Sequence, residues 1–414
     1  MTTIPSITLV LFAITLPIRI IYLIASHYIL GSGFQKYQGD LINHIKLSCF
    51  KSSSDFFTSS DYKLIGSYKI GKVFERFRSG YPHIVSKLSN YGEEYDSRST
   101  WLVKSSSTLK DSNDPIIVYL HGGGYRLQFT PPQMQSLIST YFLLQPDKKE
   151  KLSVLVLDYR LSISGDTFPA PIEDLHQTYQ NLTVRDGNTN IIFLGDSAGG
   201  NLALTYLQHL KSLNTKDVVY PSNLVLVAPW VRVKPTEEQY VPGSSWYDNR
   251  PRDLLQYRRF SSYNNMKHIF GDSDVKSVKV SPLSSPFNVH DWEDIPTIKN
   301  NTLVICGEFE SFRDDILEFS KLVFGCPFFK VNSEAYNSSD GTYNPSIHEY
   351  QSETENGKVG FRLFVEPMGI HDSAFMLESA VDKLVKDDKV EVDELDDKYY
   401  FGIKRMVNFL NEVL

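Results

Sequence analysis

The sequence predicts an α/β fold, with a mostly parallel central sheet and helices on both of its faces. Three observations predict it. Short apolar runs at residues 116–120, 154–157, 191–194, 223–228, 302–306 and 361–365 alternate with helical patterns, as in strands joined by crossover helices. Two glycine-rich segments, His121-Gly122-Gly123-Gly124 and Gly195-Asp196-Ser197-Ala198-Gly199-Gly200, each directly follow such a run. The chain, 414 residues long, has room for one large α/β domain with appendages.

In chain order, residues 1–30 come first. From Ile4 to Leu30 the chain is almost wholly apolar, interrupted by Pro5, Pro17, Arg19 and His27. A membrane helix needs about 20 apolar residues, and this run suffices if Arg19 snorkels or pairs. A cleaved signal would want a basic start and a small-residue exit. Met1-Thr2-Thr3 has no basic side chain and Leu23-Ile24-Ala25-Ser26-His27 is a poor exit, so the segment reads as an uncleaved anchor. The alternatives are an interfacial helix kinked at Pro17 and an apolar cap element packed on the rest. Residues 31–414 form the catalytic domain, in which 31–110 mix helical and extended patterns and read as lid and first antiparallel strands. Pro131-Pro132 opens a helix at its first turn. Residues 229–286 break into Trp-, Tyr-, Arg- and Pro-containing turns and short helices. Residues 332–358 are polar and aperiodic and read as a surface loop.

The two glycine-rich segments carry chemistry. A Gly-x-Ser-x-Gly between a buried strand and a helix is a nucleophile elbow. Gly195 and Gly199 permit the sharp turn that holds the Ser197 hydroxyl clear. The Ala198 amide then lies at a helix start, unpaired and favoured for negative charge. The amides after the first strand supply the rest of an oxyanion hole. The candidate set is Gly122, Gly123, Gly124 and Ala198, with Gly122 as its structural member. His121, Gly195, Asp196 and Gly199 complete the motifs.

A serine hydroxyl needs a base and a group to orient it, in the chain order Ser, acid, His. Among His209, His268, His290, His348 and His371, only His371 lies in a loop after a late strand and before a helix. For the acid, four carboxylates follow the strand at 302–306: Glu308, Glu310, Asp314 and Asp315. The last two read as dipole-compensating residues on a helix surface, which leaves Glu308 and Glu310.

The net charge of −7 and the lack of basic clusters exclude nucleic acid as partner. No Cys or His spacing suits a metal, and no cofactor is implied. Cys49, Cys306 and Cys326 make no disulfide framework. The 24 Tyr and 25 Phe suit a pocket for a bulky apolar ligand and equally suit cores.

These motifs resemble the hormone-sensitive-lipase group of α/β-hydrolases, with Asp158-Tyr159-Arg160-Leu161, Phe168-Pro169-Ala170 and Glu173-Asp174 between the two glycine-rich segments. The resemblance implies the α/β-hydrolase fold, with residues 229–286 as a cap insertion over the pocket, and places the acid at Glu310, with Ser311-Phe312-Arg313-Asp314 replacing the group's Pro-Leu-Arg-Asp. Glutamate for aspartate is a departure. With its apolar N-terminus the chain looks most like the fungal steryl acetyl hydrolases. That likeness implies deacetylation of a sterol acetate or similar lipid ester by a Ser197–Glu310–His371 triad. It also implies a single-pass protein of the endoplasmic reticulum membrane with a lumenal catalytic domain. A short-chain lipid esterase resembling arylacetamide deacetylase and a non-catalytic lipid-binding relative are the other readings. Sequons at Asn181, Asn300 and Asn337 are about as many as composition supplies by chance, with Asn337 the preferred glycosylation acceptor. Lys36 and Lys46 after the segment lean towards a cytosolic domain by the positive-inside rule, so the resemblance carries the lumenal expectation.

Overall fold

A two-residue period along each strand decides which layer its side chains meet. In β3 (Ile116–Leu120), Val118 and Leu120 join one apolar cluster while Ile117 and Tyr119 join another on the opposite face. The same division runs through β4 (Ser153–Leu157) and β5 (Ile191–Asp196). Both faces are therefore apolar, as a parallel sheet covered on each side requires. The computed structural model describes residues 5–414 except 67, 106–112, 216, 328–339, 354–358 and 388. Asn337 and part of the expected loop at 332–358 fall outside the described residues.

Among the described residues, nine strands form one sheet in the order β1-β2-β4-β3-β5-β6-β7-β9-β8. β1 (Glu94–Asp96) and β2 (Ser99–Val103) enter antiparallel, β2 pairing with β4. From β4 through β3, β5, β6 (Asn223–Val227) and β7 (Thr302–Gly307) to β9 (Val359–Glu366) every pair is parallel. The expected α/β architecture, a mostly parallel sheet with helices on both faces, holds. One expectation fails. Within 332–358 the described residues include a helical turn, Pro345–His348, and β8 (Glu349–Glu353), which closes the sheet antiparallel to β9. A sheet edge with one solvated side keeps polar residues, so Glu349 and Gln351 hid a strand.

The helices fall in two layers. On one face lie α6 (Ala170–Gln180), α7 (Ala198–Ser212) and α8 (Arg313–Phe324), through residues such as Leu175, Leu202 and Ile316. On the other lie α4 (Ile70–Gly80), α5 (Pro131–Phe142) and the C-terminal α9 (Asp397–Val413), through Phe74, Met134 and Met406. α5 begins as expected, with Pro131 in its first turn after a Thr130–Gln133 capping box.

The N-terminal segment is α1 (Ile7–Leu30), long and apolar enough to cross a membrane, with a mean hydropathy of 2.3. Its exposed positions, including Ile7, Leu11, Ile14, Ile18 and Ile21, are apolar. Its other side meets α2 (Leu41–Phe56) and the turn beyond it, with Phe12 5.1 Å from the Phe57 ring and His27 5.1 Å from His44. Arg19 is paired within its own helix, donating to Thr15 Oγ1 at 2.9 Å and lying over Phe12. At the far end Ser6 donates through its amide and hydroxyl to Asp61 of α3 (Ser59–Gly66).

Candidate active site

Register decides where the chemistry gathers. Leu120 pairs with Gly195, Asp196 with Val227, Val227 with Ile305 and Gly307 with Glu366. The C-terminal ends of β3, β5, β7 and β9 therefore stand at one edge of the sheet. The loop after each of them supplies one predicted component, in the place where open α/β sheets bind ligands.

Ser197 follows β5 at φ 50°, ψ −111°, a strained backbone for a residue with a Cβ. Its amide donates to Val227 O at 2.9 Å and its carbonyl accepts from Trp230 N at 3.0 Å, so neighbouring loops hold the strain. The turn needs glycine behind it. A Cβ on Gly195 would lie 2.5 Å from Gly199 O, and one on Gly199 would overlap the Leu120 carbonyl.

His371 Nε2 lies 2.9 Å from Ser197 Oγ, and His371 Nδ1 lies 2.8 Å from Glu310 Oε1. All three side chains are buried. Burial alone would push the His371 imidazole down, but the hydrogen bond and charge of Glu310 outweigh it and hold the ring above its ordinary value. Burial pushes Glu310 up from the usual carboxylate range, against the bonds from His371 and the Gly307 amide at 2.8 Å. Phe312 packs edge-on against the imidazole at 5.0 Å.

The other three carboxylates have different partners. Glu308 accepts the Met368 amide at 2.6 Å and faces His348 at 3.4 Å, bracing the base loop from below. Asp314 accepts the Ser245 amide at 2.7 Å. Asp315 corrects the surface reading: it is buried, bonded to Arg232 at 2.8 Å, Gln239 at 2.7 Å and Trp246 Nε1 at 3.2 Å. An acidic residue in a first helical turn can face inwards when the cap supplies a cation.

The loop after β3 turns through three left-handed residues, with φ 115° at Gly123, 62° at Gly124 and 57° at Tyr125. Successive amides in such a turn form an anion-binding concavity. Among the described residues the amides of Gly123, Gly124 and Ala198 meet no acceptor. Gly122 differs: its amide donates to Asp196 Oδ1 at 2.9 Å, so it braces the loop and leaves the donor set. His121 is fully buried, stacked on Tyr159 at 4.2 Å and held neutral by burial, its imidazole pushed down to about 4. Arg160 binds Asp174 through its amide at 2.7 Å and Nε at 3.0 Å and Glu173 at 2.8 Å, which ties the Asp158–Leu161 segment to Glu173-Asp174.

Two residues of the site gave no signal in the sequence. Asp253, from the cap, is buried and accepts the His371 amide at 2.8 Å through Oδ1 and the Ser311 amide at 2.8 Å through Oδ2. One carboxylate thus ties the base loop to the acid loop. Asn249 Nδ2 donates to Glu310 O at 3.0 Å. An Asp and an Asn in an irregular stretch carry no periodicity to mark them. Lys36, just after α1, pairs with Glu366 at the end of β9, and Ser373 donates to the same carboxylate. Burial lowers the Lys36 ammonium to about 8.

A cavity of about 210 Å³ opens over Ser197 and His371. Its wall is mainly apolar, from Trp230, Leu254, Phe260 and Ile269 of the cap region with Phe50 of α2 and Tyr62 of α3. Residues of both 31–110 and 229–286 line the cavity.

The steryl acetyl hydrolase family profile matches residues 14–357. A Schizosaccharomyces pombe protein named as a steryl acetyl hydrolase, mug81, is 28% identical over 77% of this chain and 84% of its own length. Steryl acetyl hydrolase 1 of Saccharomyces cerevisiae is 26% identical over 54% of this chain and 52% of its own length. Among solved structures, a fungal esterase from Rhizomucor miehei superposes with a TM-score of 0.51 at 14% identity, covering 89% of this chain and 95% of that one.

Proposed function

We propose, because the chain belongs to the steryl acetyl hydrolase family and is a carboxylic ester hydrolase, that it removes acetyl and other short acyl groups from a bulky lipid alcohol, sterols first. The observation that carries the mechanism is the unbroken line from Glu310 through His371 to Ser197, with unpaired amides beside the serine.

Ser197 Oγ attacks the ester carbonyl while His371 Nε2 takes its proton. Glu310 keeps the Nδ1–H tautomer and stabilises the imidazolium. The tetrahedral oxyanion is received by Gly123, Gly124 and Ala198, each such donor contributing about 3 kcal/mol in other serine hydrolases. The imidazolium then protonates the departing alcohol. Water, deprotonated by the same imidazole, releases acetate from Ser197.

The imidazole must be neutral to act, so activity falls as pH drops through its pKa. Glu310 raises that pKa, and the acid limb of kcat/KM is expected above the ordinary imidazole value of about 6.5. In Glu310→Gln, which removes the charge, the limb should move to lower pH. A pH–rate profile of both proteins checks the direction, and an unmoved limb would remove Glu310 from contact with the base.

The substrate reading is tested with acetyl, butyryl and palmitoyl esters of one sterol. Acetyl is expected to be hydrolysed fastest. Equal rates on acetyl and palmitoyl would indicate a general lipase.

The apolar α1 supports membrane association, and the proposed arrangement is a single-pass anchor in the endoplasmic reticulum with a lumenal catalytic domain. Asn300 is exposed and Asn181 half-buried, its amide donating to Asp96 at 3.0 Å. Endoglycosidase treatment of microsomes should shift the mobility of the protein. Digestion of the catalytic domain by protease in sealed microsomes would place it in the cytosol.

A further inference from the structure

The wall of the cavity over Ser197 is mainly apolar, yet two guanidinium groups line it, those of Arg126 and Arg259. Arg126 comes two residues after Gly124, and its amide donates to Gly123 O at 3.0 Å. The oxyanion turn therefore fixes where this side chain leaves the backbone. Arg259 belongs to a short helix of the cap region, Tyr257–Ser261. Asn265 joins the two arginines. It accepts from Arg126 Nη2 through its carbonyl at 3.2 Å and its Oδ1 at 3.3 Å, and its Nδ2 donates to Arg259 O at 3.3 Å. Neither charge is answered. Arg126 Nε is buried without an acceptor, and Arg259 Nη2 donates to the Phe57 carbonyl at 3.3 Å. Among the described residues no carboxylate pairs with either group, whereas Arg160 and Arg232, also half-buried, each hold two. Asp372, the carboxyl of the same wall, is pushed up towards its neutral form by burial. A guanidinium keeps its charge when taken from water, and the charge then calls for an anion.

We propose that Arg126 and Arg259 form a seat for an oxyanion, a carboxylate or a phosphate, carried by the substrate. The substrate class is then acetyl esters of a lipid alcohol that bears such a group away from the ester. The inference rests on the short-acyl esterase reading above, because an acetyl group has no place for a charge and the alcohol must carry it. Ser197 and His371 act on the ester as before. The two arginines grip the distant group, each guanidinium offering its planar fork to two oxygens. An apolar wall around them strengthens that contact, since little water competes for the anion. These residues set specificity and take no part in the proton transfers.

The test measures acetate release from 6-acetoxyhexanoate against hexyl acetate, and from 12-acetoxydodecanoate against dodecyl acetate, all below their micelle-forming concentrations. A further arm, 12-acetoxydodecyl phosphate, separates a carboxylate seat from a phosphate seat. In wild type, kcat/KM should favour an anionic substrate over its neutral match by about tenfold or more, as a charge-assisted contact supplies. Arg126→Gln and Arg259→Gln should each bring that ratio down towards one, chiefly by raising KM for the anion. Arg126→Lys keeps the charge without the fork and should retain part of the preference. A wild-type ratio of one or below for every anionic substrate, or a ratio unmoved in either Gln variant, would overturn the proposal. Hydrolysis of 4-nitrophenyl acetate on the same samples reports the esterase reading separately. If wild type cleaves it, such a failure belongs to the anion seat alone, and if wild type cleaves no ester, that reading itself fails.

Discussion

Ser197→Ala is expected to abolish hydrolysis of 4-nitrophenyl acetate while leaving the protein folded. The change removes one hydroxyl and nothing that holds the turn. The backbone bonds to Val227 and from Trp230 remain, and the alanine Cβ occupies the space already given to serine. Removing such a nucleophile costs about 10⁶-fold in kcat, because the oxyanion donors and the base cannot act without it. Initial rates report the loss, and a thermal melt matching wild type shows that the fold survives. Retention of more than a few per cent of activity would mean that another group attacks the ester.

Glu310→Gln should lower turnover by about 10⁴-fold, as replacing the acid does where it fixes the tautomer of the base. Glutamine fills the same space, but its amide can donate to Nδ1 and leave the proton on Nε2, facing the serine. Glu308→Gln should be milder in turnover because Glu308 bonds the Met368 amide and His348, not the catalytic ring. Asp314→Asn touches, among the described residues, the Ser245 amide and the neighbouring Arg313 guanidinium. Asp315→Asn weakens a buried ion pair with Arg232 and should show first as a lower melting temperature. Four variants assayed side by side separate these roles. A dead Asp314→Asn with an active Glu310→Gln would move the acid to the helix.

Much of this arrangement was legible in the chain because its parts are local. The parallel strands are uninterrupted apolar runs, and the elbow is a six-residue pattern whose glycines answer to backbone contact. The loop after β3 is readable for the same reason, since its left-handed turns demand glycine at Gly123 and Gly124. What was not legible depends on pairings distant in sequence. Glu308 and Glu310 are equivalent by spacing, and only the bonds to His348 and Met368 on one and His371 on the other separate them. Asp253 lies in a stretch without period, and its bonds to the His371 and Ser311 amides exist only once the cap is in place. β8 was read as loop because an edge strand has no second apolar face to show.

The most direct measurement is covalent labelling of the intact protein with a fluorophosphonate, followed by peptide mapping, with and without a steryl acetate present beforehand. The account predicts a single adduct on Ser197, formed slowly or not at all in Glu310→Gln and suppressed by the steryl acetate. An adduct at another residue, or none on protein that hydrolyses esters, would contradict it.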